Sequence, residues 1–290
     1  MQRYMTRQAI RLVVGVLGAV LVAAAIAAVG EPYAQNLPGF LKALLAHLIQ
    51  FARLDLGVSA LTGAPITQEL GNHLPKTMGL IGLGAAIAVV VGAPFGLLLA
   101  FAPIRRVLAP VIQIITATPV FCSGLALAYG AVVGLHWPVS INAPVGAAVP
   151  PDQMLPILIL PVLTVGLAGA AAVQLVLRQA AARSSEVPFR VGLKRMGLRA
   201  LEIEALYVVP QVAAALMAGA REIVLALVSA TVVAEWVFHR DGAADLFVKS
   251  VALADWNMVA ILVFVFACLT FITDFAGSVL GRVLAPGGQR

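Results

Sequence analysis

Six stretches of this chain are apolar over about 20 residues or more, the length that a helix needs to cross the roughly 30 Å hydrocarbon core of a bilayer. They lie at residues 11–30, 77–101, 108–134, 154–177, 206–233 and 257–280. Hydrophobic residues make up 61% of the 290-residue chain and charged residues only 11%, which leaves too little polar surface to cover a soluble globule of this size. The sequence therefore predicts an all-α membrane protein with six transmembrane helices.

The placement of the 19 Lys and Arg residues predicts how these helices are oriented. If the N-terminus is cytoplasmic, 13 of the cations fall on the cytoplasmic side, five on the external side, and Arg221 inside the fifth apolar stretch. Because cytoplasmic loops carry the excess of cations, we expect both termini to be cytoplasmic. A cleaved signal peptide is the alternative for the first stretch, but its run of about 18 apolar residues exceeds the 7–15 that are typical of such peptides.

A basic, amphipathic segment at residues 183–206 separates the fourth and fifth apolar stretches. It contains three apolar side chains spaced as one face of a helix, cations beside them, and a glycine that is a natural stop. The apolar side chains are Phe189, Leu193 and Met196, the cations are Arg190 and Lys194, and the glycine is Gly197. The pattern fits a helix lying in lipid headgroups, and it also fits a short helix presented to a cytoplasmic partner. Periodicity does not decide between the two.

Several short motifs, in their order and spacing, resemble those of one permease family. They are "RLDLGVSALTGAPITQELGNHLPKTMGL" (53–80), "ATPVF" (117–121), "LHWPVS" (135–140), "LPVLTVGLAGAAAVQLVLR" (160–178), "AEWVFHRDG" (234–242) and "LADWNMV" (253–259). The pattern is similar to that of the ABC-importer permeases for dipeptides, oligopeptides and nickel, and specifically to the first of their two membrane subunits. Several positions depart from that pattern. Arg183 stands where an acidic residue is usual, Leu193 where a small residue is usual, Met196 where lysine is usual, and Asp241 where proline is common.

The resemblance implies a type I ABC-importer permease fold in a bacterial inner (plasma) membrane. It places an N-terminal span and an external segment at 1–72, the permease domain at 73–280, and a cytoplasmic tail at 281–290. The amphipathic segment at 183–199 would then be the coupling helix, through which two ATPase subunits move the permease. A second homologous permease subunit and an external solute-binding protein would complete the transporter.

The resemblance also implies that the chain is not an enzyme and carries no cofactor, because ATP and Mg²⁺ would be bound by the ATPase subunits. The sequence has no phosphate-binding loop, and its basic residues form no aromatic-lined patch for nucleic acid. Its histidines show no metal-ligand spacing, so we expect no metal site. A secondary transporter or channel that works alone is the alternative, although no internal repeat supports it.

Arg221 and Glu222 lie inside the fifth apolar stretch, where a charged side chain costs roughly 2.5–3.5 kcal/mol. Two interpretations remain open. In the first, Arg221 forms a salt bridge, for example with Asp274 or with a carboxylate of a partner chain. In the second, the pair lies on the translocation path, where the planar guanidinium meets the carboxylate of a peptide-like or other anionic solute.

Two further features lie on the predicted external side. Glu235, Trp236 and Phe238 follow the fifth stretch and are candidates for an external gate or docking surface, or for ordinary anchoring at the membrane interface. The apolar residues 37–51 predict a helix lying on the surface.

Overall fold

The structure, a computed structural model, describes residues 2–101, 110, 114, 117–137, 151–184, 196–197 and 209–284. Nine helices have both ends within these residues, and the described backbone contains no β-strand beyond one isolated bridge between Val58 and Pro65. In chain order the helices are α1 (Gln2–Val29), α2 (Leu37–Ala52), α3 (Ile66–Phe101), α4 (Val120–Leu135), α5 (Pro151–Ser184), α6 (Val209–Ala218), α7 (Ala220–Val237), α8 (Ala243–Ala252) and α9 (Trp256–Leu284).

Four of these helices, α1, α3, α5 and α9, contain segments long and apolar enough to cross a membrane. The helices α6 and α7 form a fifth span if they are counted together, since a bend of 58° separates them. The third predicted span overlaps the shorter helix α4, and most of residues 108–116 lie outside the described residues. The prediction of an all-helical membrane protein is thus confirmed with four or five spans. The sixth span and the location of the termini remain predictions.

Close packing of α3 against α5 forms the centre of the bundle. A Cβ atom at Gly92 would lie 2.6 Å from the carbonyl oxygen of Ala170, and one at Gly84 would lie 2.6 Å from a methyl group of Val165. Glycine at these positions lets the two backbones approach, which matters because lipid provides no hydrophobic driving force between helices. Leu227 of α7 packs into the same core.

The helix α9 packs against α6 through two glycines one turn apart. A Cβ at Gly281 would lie 3.0 Å from the carbonyl oxygen of Ala214, and Gly277 lies against the carbonyl oxygen of Met217. This small-residue spacing lets helix backbones touch within a membrane. It fixes α6 beside the last turns of α9.

The fifth apolar stretch is not one continuous helix, because Gly219 stands at the bend between α6 and α7. Hydrogen bonds continue around the bend, from the Gly219 N–H to the Ala215 carbonyl (2.9 Å) and from the Ile223 N–H to the Gly219 carbonyl (3.2 Å). A Cβ at Gly219 would lie 2.6 Å from a methyl group of Val176 on α5. The bend therefore lies at a point of close contact with α5.

Two helical segments on the predicted external side extend beyond the apolar stretches. The helix α3 begins at Ile66, eleven residues before the apolar run at 77, so its first turns are polar. The helix α8 lies within residues 234–256, which the apolar pattern leaves between two spans. The helix predicted at 37–51 is present as α2, and its position on the membrane surface stays a prediction.

Candidate functional site

The carboxylate of Glu235, near the end of α7, is buried and accepts three hydrogen bonds. Its Oε1 accepts one from the Thr77 hydroxyl of α3 (2.6 Å), and its Oε2 accepts one from each of the N–H groups of Ala244 and Asp245 (2.9 Å). The Thr77 hydroxyl oxygen in turn accepts one from the Ala243 N–H (2.7 Å). One carboxylate thus ties α7 to α3 and caps the N-terminus of α8, where the helix dipole favours negative charge.

Gly242 completes this arrangement at the N-cap position of α8. Any Cβ atom there would overlap the Glu235 carboxylate. Glycine is therefore required for the carboxylate to reach the first N–H groups of the helix. We call Glu235, Thr77, Gly242 and the first turn of α8 the capping cluster.

Asp241 forms a second, exposed link between α3 and the loop after α7. One carboxylate oxygen lies 3.1 Å from Nε2 of His73, and the other lies 3.0 Å from Nζ of Lys76. Nδ1 of His73 lies 2.8 Å from the carbonyl oxygen of Glu69. Desolvation acts to raise the pKa of Asp241, but the Lys76 hydrogen bond and the charges of His73, Lys76 and Lys249 outweigh it, so this pKa lies below its ordinary value.

A buried carboxylate also joins the segment between α2 and α3 to the start of α9. Asp255 accepts a 2.5 Å hydrogen bond from the Ser59 hydroxyl and a 3.2 Å bond from the Leu61 N–H, and its other oxygen caps α9 at the Met258 N–H (3.2 Å). Gly57, at φ +74°, makes the turn that brings Ser59 to this position, and glycine adopts this conformation without strain. The link joins the motifs at 53–80 and 253–259.

Arg221 and Glu222 lie in the first turn of α7, directly after the bend, rather than in the middle of a straight span. Both side chains are exposed. Among the described residues, no ion pair joins Arg221 to Asp274 or to another carboxylate. The described chain thus leaves Arg221 open to a partner chain, to water or to a solute.

Further exposed side chains continue from this pair along α7. Leu225, Ser229 and Trp236 are exposed, at intervals that correspond to one side of an α-helix. The opposite side of α7 is buried against α5 and the rest of the core. The exposed side of α7 therefore extends from the charged pair at the bend to Trp236 near the capping cluster, and we call it the α7 open face.

The three residues considered for an external gate have different surroundings. Glu235 belongs to the capping cluster, and Phe238 is only 2% exposed. Trp236 is half exposed, and its ring centroid lies 6.2 Å from that of Phe121, the last residue of the motif at 117–121. Trp236 is thus the one of the three whose side chain is available to a partner in this conformation.

Two of the predicted coupling residues lie within the described residues. Met196 is 72% exposed, and Gly197 has a φ of +84°, a left-handed conformation that favours glycine. An exposed methionine beside a sharp glycine turn fits a short segment that ends at Gly197. The other four predicted coupling residues lie outside the described residues: Phe189, Arg190, Leu193 and Lys194.

The sequence made Glu235 a candidate for an external gate or docking surface, or for interfacial anchoring, and it did not predict the capping cluster. The signal was nevertheless in the motifs, because Thr77 belongs to the motif at 53–80 while Glu235 and Gly242 both belong to the motif at 234–242. Over the described ranges, no three His, Cys, Asp or Glu side chains are grouped so that they could hold a metal ion.

Comparison with solved structures supports the fold. The chain resembles a structure described as "Inward facing conformations of the MetNI methionine ABC transporter: CY5 native crystal form", with a TM-score of 0.56 at 16% sequence identity. The match covers 76% of this chain and 98% of the other. At this identity the likeness shows the fold alone, which is that of a type I ABC-importer permease. A search among curated protein sequences finds no match.

The family comparison covers most of the membrane-spanning region. A family model described as "Binding-protein-dependent transport system inner membrane component" matches residues 88–286. The matched region contains α4 to α9 and the predicted coupling segment. The chain therefore belongs to this family, the membrane permeases of ABC importers, whose ATPase activity resides on separate subunits.

Proposed function

We propose that this permease carries a small zwitterionic solute, an amino acid or a short peptide, along the α7 open face. The observation that carries the proposal is the exposed pair Arg221 and Glu222, directly after the 58° bend in a span. Bent or broken helices near the membrane midplane are typical of substrate sites in transporters. A charge in lipid costs roughly 2.5–3.5 kcal/mol, so a water-filled path is the favourable surrounding for both side chains.

The two charges suit the two ends of such a solute. A guanidinium offers a planar fork to a carboxylate, and a glutamate accepts hydrogen bonds from an ammonium group. Amino acids and peptides carry both groups, and the structural neighbour is described as a transporter of methionine, an amino acid. The resemblance to peptide and nickel permeases favours peptides within this class, while the lack of clustered ligands in the described chain gives nickel no support.

The same proposal assigns the remaining parts of the transporter. A second permease subunit and two ATPase subunits complete the complex, and an external binding protein delivers the solute to the end of the path near Trp236. The complex lies in a bacterial inner membrane with six spans in this chain and both termini cytoplasmic. The ATPases act through Phe189, Leu193 and Met196, and an exposed Met196 beside the turn at Gly197 supports this contact.

The test measures solute uptake and complex yield in the same variants. Arg221→Ala should assemble normally and retain basal ATPase activity but lose uptake, because only the solute contact is removed. Glu222→Gln should weaken uptake of zwitterionic solutes more than that of solutes without an ammonium group. Thr62→Ala, which changes an exposed side chain outside the α7 open face, is the control and should transport normally. Loss of assembly in Arg221→Ala that Arg221→Lys restores would show a salt bridge to a partner chain instead.

A further inference from the structure

The helix α2 has an exposed apolar side that no other described part of the chain covers. Leu37, Leu41, Leu45 and Ile49 follow one another at intervals of four residues, and their exposed fractions are 71%, 48%, 61% and 53%. The opposite side of α2 is packed, since Ala43 and His47 are buried. An apolar stripe of this length, about 18 Å by the helical rise, is unfavourable in water.

The contacts of α2 place the side chain of Phe51, at its C-terminal end, at the depth of the hydrocarbon core of the bilayer. Phe51 packs against a cluster formed by Ala23 and Ala27 of α1 and Ala260 of α9, and its ring lies 5.8 Å from that of Phe264 in α9. Ala23 lies six residues before the end of α1, which is about 9 Å along the axis, and Phe264 lies about 12 Å into α9.

The charges of α1 fix where its membrane-crossing part begins. Three arginines, at positions 3, 7 and 11, occupy its first turns, so the apolar residues 12–29 form the crossing part, about 27 Å long. Ala23 and Ala27 are therefore within the bilayer, and the side chain of Phe51 reaches the same depth. His47 lies 3.5 Å from Glu31, two residues beyond the end of α1, so α2 lies along this end of α1 with Phe51 reaching further in.

The charges of α2 also fit a lipid surface. The helix contains no acidic residue, and its one lysine, Lys42, is exposed. Arg53, exposed at the C-cap, follows Lys42 by eleven residues, about three turns, so both lie along the same edge of the helix. Long cationic side chains at such an edge keep their charges among phosphates while their stems cover apolar surface.

We propose that α2 is partly immersed in the membrane on the side where α1 ends, with the stripe Leu37, Leu41, Leu45 and Ile49 against acyl chains. The cations Lys42 and Arg53 contact anionic headgroups. The stripe then continues the lipid-facing surface of α1, where Val22 and Val29 are also half exposed or more. Leucine and isoleucine on this face stabilise the position of α2, and hence of the external ends of α1 and α9, by burial in lipid rather than in protein.

Collision accessibility of spin labels tests this position. The full chain, purified with the subunits that accompany it, would carry Cys122→Ser and Cys268→Ser and one nitroxide at residue 45 or 49 in phosphatidylcholine–phosphatidylglycerol bilayers. Three references calibrate the signal: position 17 on α1 for lipid, position 62 in the exposed loop for water, and position 43 for protein interior. Both test positions should give a ratio of oxygen to nickel-chelate collisions several-fold above that of position 62 and near that of position 17.

Two results would overturn the proposal. Collisions dominated by the nickel chelate at positions 45 and 49 would place the stripe in water. Low collision rates with both reagents, as at position 43, would show that a protein partner covers it. Quenching by lipids brominated on the acyl chain gives a second measurement that needs no cysteine replacement. The fluorescence that Leu45→Trp adds to that of the three native tryptophans should be quenched, and an unquenched difference between the variant and the unaltered chain would contradict the proposal equally.

Discussion

Removal of the Glu235 carboxylate should release the first turn of α8. In Glu235→Ala, the Thr77 hydroxyl and the N–H groups of Ala244 and Asp245 lose their acceptor in a buried site. Each unsatisfied donor costs about 1–3 kcal/mol, and water that enters the vacated space recovers part of the total. We therefore expect a loss of about 3 kcal/mol, the low end of the sum over three donors.

Hydrogen exchange of the α8 backbone measures this loss directly. Since every 1.4 kcal/mol is a factor of ten, amides 243–245 should exchange about two powers of ten faster in Glu235→Ala than in the unaltered chain. Glu235→Gln should show a smaller increase, because its amide oxygen still accepts from α8 while the favourable charge at the helix N-terminus is lost.

Thr231→Val is the matched control for this experiment. Its hydroxyl is equally buried but donates within α7, to the Leu227 carbonyl at 2.8 Å, so the variant removes a hydroxyl without touching α8. The exchange of amides 243–245 should be unchanged there. Equal exchange rates in Glu235→Ala and Thr231→Val would refute the capping role.

Three further predictions concern packing, pH and the external segment. Gly92→Ala should destabilise the α3–α5 pair by about 1–3 kcal/mol, because its Cβ would overlap the Ala170 backbone, whereas Gly79→Ala, which meets nothing within 4 Å, should be neutral in thermal unfolding. The pKa of Asp241 is lowered in the folded chain, so its carboxylate stabilises the fold at pH values above the ordinary aspartate pKa of about 4, and this contribution is lost as the pH falls below that pKa. In an acid titration, the difference in stability between the unaltered chain and Asp241→Asn should therefore shrink. Ser59→Ala should leave the buried Asp255 without its 2.5 Å donor and increase proteolysis between residues 54 and 65, whereas Thr62→Ala, which removes an exposed hydroxyl from the same loop, should have little effect.

The membrane class could be predicted from the sequence because lipid imposes its constraint locally. A run of about 20 apolar residues identifies a possible span without knowledge of its neighbours. The same local signal fails where the span is bent. Residues 206–233 are predominantly apolar on both sides of Gly219, so their composition does not reveal the bend. The structure places the bend at that glycine, which lies against Val176 of α5.

The motifs located the important side chains but did not define their physical roles. Glu235 in "AEWVFHRDG" and Thr77 in "LPKT" are separated by 158 residues, so their hydrogen bond is determined by tertiary packing and by no local pattern. The same holds for Ser59 and Asp255, which are separated by 196 residues. Composition and spacing show where polar residues interrupt an apolar chain, whereas the partner of each one depends on which helices become neighbours.

Asp241 illustrates how a departure from a family pattern acquires a physical reason. A proline there would fix the backbone but could accept no hydrogen bond through its side chain. The aspartate instead contacts His73 and Lys76, two residues that lie one turn apart on α3 and precede Thr77 of the capping cluster. The loop after α7 is thus held to α3 twice, once by a buried carboxylate and once by an exposed one. Salt screens the exposed contacts of Asp241 with His73 and Lys76 but not the buried hydrogen bonds of Glu235. The Asp241 link should therefore weaken first as ionic strength rises, while α8 stays capped by Glu235.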